Sequence, residues 1–211
     1  MKPTPAELRA LARRDPALGR VLRTLPPFPG FPARRHPRQR SHYASLTSAI
    51  VYQQLATRAA ETIWGRVCAL DGGEIFPEPQ QFLAHPDERL RGAGLSRGKI
   101  AALRDLCQRI QDGRLLLPKL ARLSDERVIE ELVEVRGIGT WSAQMFLMFR
   151  LGRLDVLAHG DLGVQEGLRL LDGLDERPSA LEVQQRARVW SPLSSVGCWF
   201  MWRLVDSRRK R

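Results

Sequence analysis

Residues 132–143 have the composition and spacing of an anion-binding hairpin. They read L-V-E-V-R-G-I-G-T-W-S-A, two helical stretches joined by a short turn that contains Gly137 and Gly139. Both glycines can take positive φ and let a foreign backbone approach, while Ile138 between them can anchor the turn in the core. The N–H groups that follow lie at a helix start, where unpaired donors and the helix dipole favour a phosphate. Two hydroxyl side chains can add donors: Thr140 and Ser142.

A second interpretation of the same residues is purely structural. Glycine is the commonest residue just beyond the end of a helix, so a G-x-G turn also suits an ordinary corner between two helices. The short motif by itself leaves both interpretations open.

The elements around this hairpin all have helical periodicity. Apolar residues recur at helical spacing in residues 1–25, in 41–68 and in most of the chain after Ser96. No stretch alternates with period two for long enough to predict a strand. We therefore predict an all-α fold with about ten helices, in which Asp161 opens the helix that extends to Leu171.

The longer pattern around the hairpin resembles a known family. The stretch V-R-G-I-G-T-W-S-A-Q-M-F-L-M-F (135–149), followed by D-V-L-A-H-G-D-L-G-V (155–164), is similar to the helix-hairpin-helix superfamily of DNA glycosylases. Within it, the sequence resembles the 3-methyladenine DNA glycosylase II, alkylation-repair branch. Further matching stretches are I-V-Y-Q-Q-L-A (50–56), G-L-S-R-G-K (94–99) and W-F-M-W-R (199–203). The resemblance covers about residues 40–205 and implies the compact form, without the N-terminal α/β domain of longer relatives.

The resemblance implies that Asp161 is catalytic, because it matches the family's catalytic aspartate. Breaking an N-glycosidic bond develops positive charge on the sugar, as in glycoside hydrolysis. A carboxylate beside C1′ stabilises that oxocarbenium-like state and can orient water. Aspartate is also a common helix N-cap, and both roles are compatible because a cap fixes the carboxylate.

The resemblance also implies that the target base is flipped out of duplex DNA. Leu55 matches the family's intercalating wedge, with Gln54 beside it. The alternative is that Leu55 belongs to the core.

Apolar and aromatic residues are expected to hold the flipped base. An electron-rich ring favours a cationic methylated purine. The expected pocket residues are Trp141, Met145, Tyr52, Leu162 and Leu193. Since Leu162, Leu193 and Ser194 stand where relatives often have an aromatic residue or Arg, the preferred lesion is left open.

Trp141 occupies the position at which bifunctional relatives carry a Schiff-base lysine. The resemblance therefore implies hydrolysis by water, without lyase activity and without a catalytic cofactor. Of the three cysteines only Cys198 lies near the C-terminus, so no iron–sulfur cluster is expected. The family's hairpin also binds a monovalent cation, Na⁺ or K⁺, through main-chain carbonyls. By motif position these are the carbonyls of Val133, Val135 and Ile138.

The composition agrees with a nucleic-acid partner. The 211 residues carry 34 Lys+Arg against 23 Asp+Glu, a net charge of +11, and only four of the basic residues are lysine. Arginine binds phosphate in a bidentate manner, although a GC-rich genome enriches arginine as well. No apolar run is long enough for a membrane span and no signal peptide is recognisable.

These observations together predict a monomeric glycosylase acting on double-stranded DNA with alkylated bases, with no membrane partner. Its expected location is the cytoplasm, associated with the nucleoid, or the nucleus in a eukaryote. The alternatives are a non-catalytic damaged-DNA-binding protein and a glycosylase with lyase action. We predict two helical lobes with the active-site cleft between them, one formed by residues 36–153 and the other by 1–35 with 154–211.

Overall fold

The computed structural model describes residues 1–31 and 41–209 of the chain. Helices and no strands occur in these ranges, which confirms the all-α fold. The α-helices, numbered α1 to α12 in chain order, are Pro5–Arg14, Pro16–Thr24, His42–Tyr52, Thr57–Cys68, Pro79–Ala84, Asp87–Gly92, Arg97–Gln111, Asp125–Val133, Thr140–Phe146, Leu162–Asp172, Ala180–Arg186 and Ser194–Arg209. Short 3₁₀ helices are at Ala69–Asp71, Leu117–Arg122 and Ala187–Trp190, and a π-helical stretch is at Leu147–Leu151.

The chain divides into two compact units. The terminal unit combines the N-terminal helices α1 and α2 with the chain from Leu147 onwards, and the central unit ends at Phe146. The predicted lobes placed this second boundary after residue 153. The other predicted boundary, between residues 35 and 36, lies outside the described residues. No helix in the described part of the chain is both long and apolar enough to cross a membrane.

The core of the central unit forms along α7. Ser96 caps this helix by accepting from Lys99 N–H. The side chains of Ile100, Leu103 and Leu106 share one face and are at most 2% exposed. This face repeats every three or four residues, as an amphipathic helix requires.

A buried carboxylate joins the elements of the terminal unit. Asp15 is 2% exposed and caps α2 through Leu18 N–H, at 3.0 Å from Oδ1. Its Oδ2 accepts from Trp190 Nε1 and from Arg186 Nη1, each at 2.8 Å. Burial by itself raises the pKa of the Asp15 carboxyl, but the three donors outweigh it and the pKa is lowered.

Candidate functional site

The hairpin between α8 and α9 is an exposed turn with a buried anchor. Ile138 is 4% exposed, and its N–H donates to Val135 O at 3.0 Å. Gly137 has φ +80°, the left-handed conformation expected for it. The expectation was wrong for Gly139, whose φ is not left-handed and whose added Cβ would meet no atom within 4 Å. No contact within the protein therefore requires glycine at position 139. The space in front of its backbone is open.

Side chains of the central unit hold the hairpin in place. Asp105 Oδ2 accepts from Arg136 N–H at 2.8 Å, and Gln53 Nε2 donates to Gly137 O at 2.8 Å. A Cβ added to Gly137 would lie 3.1 Å from the Cβ of Ala102. Because α7 carries Ala102 and Asp105 one turn apart, the same face of this helix packs against the turn and satisfies its backbone.

The other predicted hairpin residues lie at the surface or in the last turn of α8. Thr140 is exposed and Ser142 is half-buried at the start of α9, where the first N–H groups have no acceptor within the helix. Val133 is 39% exposed, and the Val135 carbonyl, which accepts from Ile138, retains a second lone pair. Oxygen donors of this kind suit a hard alkali cation. No group of three or more His, Cys, Asp or Glu side chains in the described ranges could hold a metal ion.

The turn between α3 and α4 is strained and carries an exposed leucine. Gln53 has φ −52° and ψ 132°, Gln54 has φ +56°, and Leu55 N–H donates to Tyr52 O at 3.3 Å. These values are those of a type II turn, whose third position normally holds glycine because φ is positive there. Leu55 is 38% exposed, so the alternative in which it is a core residue is wrong.

Asp161 is the N-cap of α10. Its Oδ1 accepts from Val164 N–H at 2.8 Å and from the indole Nε1 of Trp202 at 2.8 Å. The N-terminal dipole of α10 stabilises the negative charge. The sequence predicted the cap, but it did not predict the second donor, which comes from α12.

An aromatic pair lies beside this carboxylate. The ring of Trp202 stacks on Phe149 with centroids 5.8 Å apart and an interplanar angle of 24°. Phe149 is 38% exposed and lies in the π-helical stretch. Sequence reasoning missed both side chains, because each lies within a mostly apolar helical run that is typical of core.

The predicted pocket residues have different exposures. In the terminal unit, Leu162 is 65% exposed next to Asp161, whereas Leu193 is 2% exposed and offers almost no surface to a base. In the central unit, Trp141 on α9 is 50% exposed, and Met145 and Tyr52 are half-buried.

Two neighbouring polar residues have structural partners. Asp155 accepts from Ser191 Oγ at 2.7 Å and from Ser194 N–H at 3.1 Å, so it caps the start of α12. His159 Nδ1 lies 3.3 Å from Leu157 O. Asp161 therefore differs from Asp155 in accepting a hydrogen bond from Trp202, a member of the stacked aromatic pair.

An all-helical chain with a glycine hairpin and a capping aspartate on the helix after it defines a helix-hairpin-helix protein. Comparison with known families makes this specific. The chain belongs to the HhH-GPD superfamily of base excision DNA repair proteins, whose sequence profile matches residues 47–192.

Individual relatives agree with this assignment. DNA-3-methyladenine glycosylase 1 of Schizosaccharomyces pombe is 32% identical over 162 residues, which cover 76% of this chain and 71% of the relative. The crystal structure of a DNA-3-methyladenine glycosidase from Bacillus halodurans matches with a TM-score of 0.86 and 33% identity, covering 100% of this chain and 94% of the other. The S. pombe enzyme Mag1 in complex with abasic DNA matches with a TM-score of 0.77 and 27% identity, covering 93% and 95%.

Proposed function

We propose that this protein is a DNA glycosylase that removes alkylated bases of the 3-methyladenine type from duplex DNA and thereby initiates base excision repair. The observation that carries the proposal is the Asp161 carboxylate, fixed at a helix N-terminus beside stacked aromatic rings. Relatives named as 3-methyladenine DNA glycosylases support the same substrate class.

Asp161 is the catalytic residue in this proposal. The bond between C1′ and the base nitrogen breaks, its electron pair leaves with the base, and positive charge develops on the sugar. The carboxylate of Asp161 stabilises this charge, and water adds to C1′ and loses a proton. An alkylated base departs readily because it is cationic or a good leaving group, so the protein needs little acid catalysis.

The stacked pair of Phe149 and Trp202 is proposed to form the platform for the flipped base. Their rings are partly exposed and lie within the same unit as Asp161. The π-face of the indole attracts a cationic purine more strongly than a neutral one. Among the pocket residues predicted from sequence, Leu162 is exposed in this unit next to Asp161. The roles of Trp141, Met145 and Tyr52, which belong to the central unit, stay predictions.

The hairpin and the strained turn are proposed to bind and open the DNA. The N–H groups that follow Gly139 at the start of α9 would take a phosphate, with the hydroxyls of Thr140 and Ser142 as further donors. The N–H after Gly137 belongs to Ile138 and donates to Val135 O, so Gly137 serves to turn the chain. An alkali cation on the carbonyls of Val133, Val135 and Ile138 would add positive charge there. Leu55, presented by the left-handed Gln54, would fill the gap that the base leaves.

Hydrolysis without strand cleavage is the proposed outcome. Trp141 occupies the family's lysine position and cannot form a Schiff base. The amine of Lys99 is engaged elsewhere, donating to Val51 O at 2.7 Å, and partial burial lowers its pKa. We further propose that the protein acts as a monomer.

Release of free base from methylated duplex DNA tests the proposal. Wild-type protein should release 3-methyladenine and leave abasic sites, while Asp161→Asn should reduce release by at least about a hundredfold. Asparagine is an equally good N-cap, so this variant removes the charge and keeps the fold. Asp175→Asn, an exposed carboxylate of the same unit, is the matched control and should behave as wild type.

Two results would contradict the proposal. Equal release by wild type and Asp161→Asn would exclude the role of the carboxylate. Tight binding to abasic DNA without any base release would favour a non-catalytic damaged-DNA-binding protein instead.

A further inference from the structure

The Asp161 carboxylate is held by two donors on the same oxygen. Val164 N–H and Trp202 Nε1 each lie 2.8 Å from Oδ1. The first bond is a helix cap and is expected for any N-cap aspartate. The second comes from a residue 41 positions away, on α12, so it depends on how closely α10 and α12 pack.

Two glycines allow this close packing. A Cβ added to Gly167 would lie 2.5 Å from the Cβ of Met201, and one added to Gly163 would lie 2.8 Å from Cδ1 of Trp202. Real Cβ atoms do not approach other atoms so closely. The spacing of four residues puts both glycines on the face of α10 that meets α12.

Gly163 has a second close neighbour. Its added Cβ would be 3.0 Å from Oδ1 of Asp161 and 3.2 Å from Nε1 of Trp202. Position 163 therefore lies against the hydrogen bond itself. Any side chain there would move the indole, the carboxylate or both.

The indole ring is also restrained on its face. It stacks on Phe149, so rotation that would break the bond to Asp161 must also disturb that stack. Both donors bind Oδ1, so rotation of the carboxylate about χ2 would break at least one of the two hydrogen bonds. Because this rotation is restrained, the direction of Oδ2 is fixed as well.

We propose that Trp202 is a positioning residue for the catalytic carboxylate and that Gly163 provides the space for its hydrogen bond. Trp202 keeps Asp161 in the orientation that the developing sugar cation requires, before DNA binds. The inference rests on the proposed glycosylase function. It differs from a merely structural role of Trp202 because it predicts a loss in the chemical step with DNA binding preserved.

Trp202→Phe is the principal variant, since phenylalanine keeps an aromatic ring against Phe149 while the N–H donor is lost together with one ring of the indole. Single-turnover release of 3-methyladenine should slow by about tenfold to a hundredfold, the range for a hydrogen bond to a charged group. Affinity for a duplex containing an abasic-site analogue should stay within about twofold, because that ligand has no base to stack.

Trp199→Phe is the matched control. It makes the same change one turn earlier on α12, where the indole contacts Phe28 and Phe200. Its release rate should equal that of wild type. Thermal melting of all variants shows whether they are folded.

Gly163→Ala is the second variant and covers the case in which Trp202→Phe does not fold. It keeps the indole and introduces a better helix former, so it should be folded, yet it displaces the hydrogen-bonded pair. Release should slow to a similar extent, and the overlap with Trp202 should lower the melting temperature without preventing folding.

A spectroscopic readout tests the bond without catalysis. In ¹H–¹⁵N spectra, the indole signal that disappears in Trp202→Phe identifies Trp202. That signal should shift in Asp161→Asn, because the acceptor loses its charge, while the signal of Trp199 should not.

The outcomes separate the inference from the function on which it rests. The positioning role alone is overturned if wild type is active and both Trp202→Phe and Gly163→Ala release the base as fast as wild type. It is also overturned if the Trp202 indole signal does not shift in Asp161→Asn. A wild type that releases no methylated base overturns the proposed function, and the positioning role falls with it.

Discussion

The same substitution at two hairpin glycines should have opposite consequences. Gly137→Ala places a side chain at φ +80° and 3.1 Å from Ala102 Cβ, so it perturbs the protein itself. Gly139→Ala places a methyl group where no protein atom lies within 4 Å. If the hairpin binds a phosphate, the second methyl group meets only the DNA.

The magnitudes follow from these contacts. A left-handed conformation costs an L-residue about 1–2 kcal/mol, and the tight contact with Ala102 adds to it, so Gly137→Ala should lower the melting temperature by roughly 2–8 °C. At position 139, which precedes the first residue of α9, alanine is a poorer cap than glycine but reduces the entropy of the unfolded chain. These effects nearly cancel, to within about 1 kcal/mol.

Binding to DNA should rank the variants in the reverse order. Affinity can be measured by fluorescence anisotropy with a labelled abasic duplex, below the melting temperature of both variants. Gly139→Ala should lose affinity by about tenfold or more, because one backbone hydrogen bond to a charged group is worth that much. Gly137→Ala should lose less. If Gly139→Ala binds the duplex as tightly as wild type does, the phosphate does not bind at this turn.

Four further changes test the rest of the structure. Gln54→Gly should raise the unfolding free energy by about 0.5–1 kcal/mol in denaturant titrations, because glycine relieves the left-handed strain. Gly167→Ala should lower it by at least about 2 kcal/mol, since its Cβ would overlap Met201. Asp105→Ala should cost about 1–3 kcal/mol and weaken DNA binding, because a hairpin N–H loses its acceptor. The pKa of Asp15 is lowered in the folded protein, so the stability that its carboxylate contributes is present above the unfolded pKa of about 4 and is lost as pH falls through the folded pKa. The stability of Asp15→Asn should lack this acid dependence.

Local signals account for the parts of the site that the sequence predicted well. Helical periodicity and capping residues depend on neighbours within a few positions. They predicted the helix after Asp161, which the structure places at Leu162–Asp172 with Asp161 as its N-cap. They also predicted the turn around Gly137, where left-handed backbone explains the glycine.

Tertiary packing decides the parts that the sequence did not predict. Leu193 follows a proline among serines, and only the packed core shows that it is 2% exposed. For Gly139, glycine is compatible with two explanations, a left-handed φ or an approaching ligand. The structure removes the first, so the second is the one to test.

The hydrogen-bond partner of the Asp161 carboxylate had a signal in the sequence that was not used. Gly163 and Gly167 follow Asp161 and, four residues apart, lie on one face of α10. Each glycine within a helix lowers its stability by about 1 kcal/mol relative to alanine. Such a cost is tolerated where another backbone must come close. The pair therefore indicated that a second helix packs tightly next to Asp161, and the tryptophans of the C-terminal helix were candidates to reach it. Which of Trp199 and Trp202 does so depends on the rotation of α12, and the hydrogen bond from Trp202 settles it.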